Sequence, residues 1–84
     1  MKTIYKYPVT LDSVQPMMMP CGAQIIHAGL DPSGIPCLWA VVEPNIPHEP
    51  RTILVVGTGG VLSPGIRTHL GSFVRGPFVW HLFE

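Results

Sequence analysis

Few residues in this chain have the chemistry to act on a ligand. Gly57-Thr58-Gly59-Gly60 is the run best suited to an anion, because successive backbone N–H groups in a turn form a nest for a phosphate. It lacks the G-x-x-x-x-G-K-S/T spacing of a P-loop and the G-x-G-x-x-G fingerprint, and no helical pattern follows it. The plain alternative is a flexible strand-to-strand turn. Arg51, Arg67 and Arg75 are forks that can grip a phosphate bidentately, and Arg67 and Arg75 fall in or beside turns, where binding residues tend to lie. Trp39 and Trp80 lead a set of aromatics, with Tyr5, Tyr7, Phe73 and Phe78, on which a base could stack. Most aromatics in so small a domain are nevertheless expected in the core. The candidate ligand-binding set is therefore Arg51, Thr58, Gly59, Gly60, Arg67, Arg75, Trp39 and Trp80.

Catalytic and metal chemistry are disfavoured. No serine sits in G-x-S-x-G, and Cys37 lies between Pro36 and Leu38, the setting of a buried and inert thiol. Five acidic residues leave little scope for paired carboxylates, so the chain is expected not to be an enzyme. Among the four histidines none lies at i, i+2 or i, i+4 from another, or close to a cysteine, as structural zinc sites require. His69 and His81 would meet across a final hairpin, but they make only two ligands. No metal and no cofactor are expected, and His81, between Trp80 and Leu82, reads as a core or interface histidine. Cys21 and Cys37 are too few for a disulfide framework and read as buried free thiols in a reducing cytoplasm, with a single disulfide as the alternative.

The elements that must carry these residues are strands. Ten prolines and nine glycines punctuate the chain, and no stretch shows a helical apolar period free of them. Between the breakers, Val, Ile, Thr, Tyr, Phe and Trp suit a pleated surface. The pattern predicts strands over Lys2–Tyr7, Gln24–Leu30, Ile35–Glu43, Arg51–Val56, His69–Val74 and Phe78–Phe83. Asp31-Pro32-Ser33-Gly34 fits a type I turn, Leu62-Ser63-Pro64-Gly65 makes another, and Arg75-Gly76-Pro77 joins the last two strands. Val9–Cys21 reads as irregular, with Pro16 and Pro20 confining any strand at Met17–Met19 to an edge. Pro44–Pro50 reads as an extended loop. Residues 1–84 thus form a single small all-β domain, a sandwich or barrel of about six short, mostly antiparallel strands.

Composition points to assembly. Hydrophobic residues make up 46% of the 84 residues and charged residues only 12%, too little charge to coat a small monomer. Ile35–Val42, Ile53–Val56 and Phe78–Phe83 are apolar on both faces, more than one core can cover. A homo-oligomer is expected, with a crossing segment as the alternative cover. A formal net charge of zero disfavours both a duplex-DNA binder and an acidic DNA mimic. The longest apolar runs fall far short of a membrane helix, and the first residues have neither an apolar h-region nor a small-residue cleavage site, so no secretory leader is expected.

The opening Met1-Lys2-Thr3-Ile4-Tyr5-Lys6-Tyr7-Pro8 and the stretch Gly34-Ile35-Pro36-Cys37-Leu38-Trp39-Ala40-Val41-Val42 carry a resemblance. So do Arg51-Thr52 leading to Gly57-Thr58-Gly59, Gly71-Ser72-Phe73, and the ending Val79-Trp80-His81-Leu82-Phe83-Glu84. With these phrases the chain resembles a family of small phage and prophage proteins of undetermined function. The resemblance implies a phage product acting in the host bacterial cytoplasm and transfers no functional residues. Small accessory phage proteins often antagonise host defence, so it also implies counter-defence. The leading expectation is a non-enzymatic oligomer that sequesters a small nucleotide immune messenger at subunit interfaces. The alternatives are a protein–protein inhibitor of a host defence effector such as a CRISPR complex, with Met17–Met19, Pro44–Pro50 or an exposed sheet face as contact surface, and a minor structural module of the virion.

Overall fold

The computed structural model describes all 84 residues and contains no helix. Seven strands follow in order: β1 (Thr3–Pro8), β2 (Ser13–Pro20), β3 (Gln24–Leu30), β4 (Pro36–Val42), β5 (His48–Gly57), β6 (His69–Arg75) and β7 (Phe78–Phe83). They make two antiparallel sheets, one ordered β1-β4-β3 and the other β2-β5-β7-β6. The architecture is a two-sheet sandwich and not a closed barrel. Only β3–β4 and β6–β7 are hairpins between consecutive strands, since β1 waits for β4 and β2 for β5.

Seven strands replace the six read from the sequence because β2 was hidden by its prolines. Ser13–Pro20 is a full strand, with Gln15, Met17 and Met19 turned inward and Val14, Pro16 and Met18 outward. Its only partner is β5, and this edge position tolerates prolines that have no N–H to give. The loop expected over Pro44–Pro50 is shorter for the same reason. His48–Pro50 already belong to β5, pairing with Met18–Pro20, and Ile46 N–H closes a turn on the Glu43 carbonyl at 3.1 Å. The later turn is displaced by one residue, closing from Ile66 N–H to the Ser63 carbonyl at 3.3 Å.

Leu38, Ala40 and Val42 of β4 meet Ile53 and Val55 of β5, Leu82 of β7 and Met19 of β2 in the core between the sheets. The sheets approach closely where β3 crosses β6, and a Cβ on Gly71 would lie 3.0 Å from that of Ala28. Glycine is the residue that fits there. Apolar residues on both faces of β5 find cover within the single chain. Leu54 and Val56 on its outer side are buried, and Gly60 lies against Val56. β5 therefore follows the crossing-segment alternative. The outer side of β4 is less covered, with Trp39 and Val41 half-buried. Ile4, Met18, Val14, Val74 and Phe78 are each more than half exposed.

Asp31 is a buried carboxylate that builds the β3–β4 turn. It accepts from Lys6 Nζ at 2.9 Å and from the backbone N–H groups of Ser33 and Ile35, each at 2.9 Å. Its carbonyl accepts from Gly34 N–H at 2.8 Å, and Gly34 has φ 79°, a conformation open to glycine. The Lys6 hydrogen bond first, then the Ile35 N–H, holds the Asp31 carboxyl below its ordinary value. A depressed folded-state pKa adds stability that is fully present above the unfolded value of about 3.9 and is lost as pH falls through the folded value. The urea midpoint is expected to drop below about pH 4, and Asp31→Asn to flatten that acid limb. Parallel limbs in the two proteins would show that Asp31 is not the titrating group.

Candidate functional site

The end of β5 turns sharply at Gly57–Gly60. Gly60 N–H donates to the Gly57 carbonyl at 2.9 Å, Gly59 takes φ 90°, and Thr58 N–H donates to the Val79 carbonyl at 3.1 Å. The amides of Thr58 and Gly60 are therefore committed to the turn, which weakens the nest expected there. What the turn presents instead is the Thr58 hydroxyl, aimed along the outer face of the four-stranded sheet.

That hydroxyl begins a row of four side chains. Thr58 Oγ1 lies 2.8 Å from His81 Nε2, His81 Nδ1 lies 2.8 Å from Ser72 Oγ, and Ser72 Oγ lies 3.0 Å from His69 Nε2. The row runs from the turn after β5 across β7 to β6 because the hairpin register pairs Ser72 with His81 and His69 with Phe83. Each hydroxyl can donate and accept, so the row satisfies either imidazole tautomer. His69 also packs on the Phe83 ring at 5.1 Å. The result is a line of donors and acceptors held in place by one another, with Thr58, His69 and Ser72 open to solvent.

The candidates read from the sequence divide around this row. Thr58 belongs to it, and Gly59 and Gly60 shape the turn that holds Thr58. Trp80 neighbours His81 on β7 but faces inward, packed against the core, with its ring beside Gly57 and 6.2 Å from Phe78. Arg67 is exposed two residues ahead of His69, where its N–H bonds to the Glu84 carbonyl at 2.9 Å. Arg75 sits exposed at the far tip of the hairpin, opposite Phe78. Trp39 lies on the other sheet, against His27 at 5.2 Å, and does not join the rest.

Arg51 has a structural position. Its Nε and Nη2 grip the Glu84 carboxylate, Nη2 at 2.8 Å, and Nη1 donates to the Ala23 carbonyl at 2.7 Å. The hydrogen bond to Glu84 raises the guanidinium pKa above its ordinary value. The fork expected to hold a phosphate is filled by the chain's own Glu84. Ser72, His69 and His81 were not read as a binding group, although a signal for them exists. Counting back from the Gly76-Pro77 turn pairs Arg75 with Phe78 and so Ser72 with His81.

No enclosed pocket lies beside the row. Both cysteines are free, and Cys37 is buried, which pushes its thiol up, but Cys21 is exposed in the turn after β2 and departs from the buried thiol expected there. No helix is long and apolar enough to cross a membrane. Residues 1–84 match a family described as a domain of unknown function (DUF7352), and the chain belongs to that family. No curated protein and no solved structure matches it.

Proposed function

We propose that this member of the DUF7352 family is a non-enzymatic binding protein that holds a small phosphate-bearing nucleotide on the outer face of its four-stranded sheet. The observation that carries the reading is the Thr58–His81–Ser72–His69 row, whose hydroxyls and imidazoles are aligned before any ligand arrives. Pre-aligned donors lose little entropy on binding, which is how a surface without a pocket gains affinity. Arg67 stands near one end of the row to add charge-assisted contacts to phosphate. A second copy would close the face, because ligand sites often form between subunits and several large apolar side chains remain exposed. The resemblance to small phage and prophage proteins supplies the setting, sequestration of a nucleotide immune messenger in a bacterial host.

Native mass spectrometry with and without cyclic oligonucleotides and ADP-ribose derivatives tests this. A discrete oligomer is expected to gain one ligand mass per interface, and Ser72→Ala and Arg67→Ala to lose it. A protein that ignores the whole panel removes the nucleotide reading. The exposed Val14 and Met18 of β2 then favour a protein–protein inhibitor, since a Met-bearing edge is an adaptable contact surface.

A further inference from the structure

Two imidazoles from neighbouring strands converge on one oxygen. His69 Nε2 stands 3.0 Å and His81 Nδ1 2.8 Å from Ser72 Oγ, on the same face of the sheet. Imidazole nitrogen suits zinc, copper and nickel, with metal–nitrogen distances of about 2.0–2.1 Å, so inward movements of about 1 Å bring both rings to one ion. The rings are also held as ligands are held. A metal-binding histidine usually donates its second N–H to an oxygen, which fixes the tautomer and leaves the first nitrogen free to coordinate. Thr58 Oγ1, 2.8 Å from His81 Nε2, is placed to accept that bond and present the Nδ1 lone pair toward Ser72. Phe83 packs against the His69 ring.

We propose that His69 and His81, with the Ser72 hydroxyl beside them, form a surface site for a divalent first-row ion of the zinc and copper(II) class. No cluster of three or more histidine, cysteine or acidic side chains is available, so water fills the remaining positions and the ion exchanges readily. This is a chelate across two strands and not a structural centre, and the hairpin register that brings His69 and His81 together creates it. The site stands independently of the nucleotide reading.

Titration calorimetry of the whole protein with copper(II) or zinc alone is expected to show one ion per chain, copper bound more tightly than zinc. Removing one ring turns a chelate into a single ligand, so His69→Ala and His81→Ala should each weaken binding about 10²-fold. Thr58→Val should weaken it about tenfold through His81 orientation. His27→Ala and His48→Ala should leave it unchanged. Binding that survives in the His69→Ala/His81→Ala double variant, or is lost in His27→Ala or His48→Ala, overturns the site. Circular dichroism confirms that each variant is folded. Repeating the nucleotide panel in a chelator separates the two readings: a failed metal titration removes only the metal site, and a panel ignored with or without the chelator removes only the nucleotide.

Discussion

Arg51→Ala is expected to destabilise the protein by about 2–3 kcal/mol while leaving ligand affinity at the outer face unchanged. The bidentate grip on Glu84 and the bond to the Ala23 carbonyl are charge-assisted, and the pair is largely withdrawn from water, with side chains 18% and 26% exposed. Hydrogen bonds to charged groups contribute about 1.5–3 kcal/mol, and losing one partner also strands the other charge. A domain of this length has a total stability of about 4–13 kcal/mol, so the loss is a large fraction of it. The melting temperature should fall by about 10 °C or more. Arg51→Lys should recover part of this, because an ammonium keeps the charge but cannot match the carboxylate with a planar fork. Thermal and urea melts measure it. A variant with unchanged stability and no ligand binding would return Arg51 to the binding set.

The second large effect concerns binding. His81→Phe keeps a ring of similar shape in β7 but removes both hydrogen bonds, to Thr58 and to Ser72. Thr58 and Ser72 then lose the partner that aligns them, and an aligned hydrogen bond to a charged phosphate contributes about 1.5–3 kcal/mol, so nucleotide binding should weaken about 10- to 100-fold. Stability should fall by less, about 1 kcal/mol, since the row lies on the outer face and its bonds are open to water. Calorimetric titration against the best ligand of the panel reads the affinity directly. Unchanged affinity would move the ligand off this face, to the hairpin tip where Arg75 stands opposite Phe78.

Local signals were legible in the sequence and distant ones were not. The hairpins β3–β4 and β6–β7 could be read because Asp31–Gly34 and Gly76-Pro77 are turns whose chemistry is carried by adjacent residues. The edge position of Met17–Met19 followed from Pro16 and Pro20, yet the same prolines concealed that the strand runs from Ser13 to Pro20. The pairings of β1 with β4 and β2 with β5 left no local trace, since they join segments separated by other strands. Thr58 was recognised because a Gly-rich turn marks it. The ion pair of Arg51 is not legible, because its partner, Glu84, lies 33 residues away and nothing near Arg51 announces it. His81 and Ser72 are aligned by the hairpin count, but the apolar neighbours Trp80 and Leu82 give His81 the look of a core or interface histidine.

The same wiring governs what happens while the chain leaves the ribosome. β1 emerges with no partner until β4 has been made, and β2 must wait for β5. During that interval two strands with open backbone edges are exposed to other nascent chains, the circumstance in which β-proteins aggregate. Each is guarded by its own residues. Pro16 and Pro20 deprive β2 of donors that a foreign strand would need, and Lys2 and Lys6 set charge in and beside β1. Residues that look ill-suited to a finished sheet therefore protect the unfinished one.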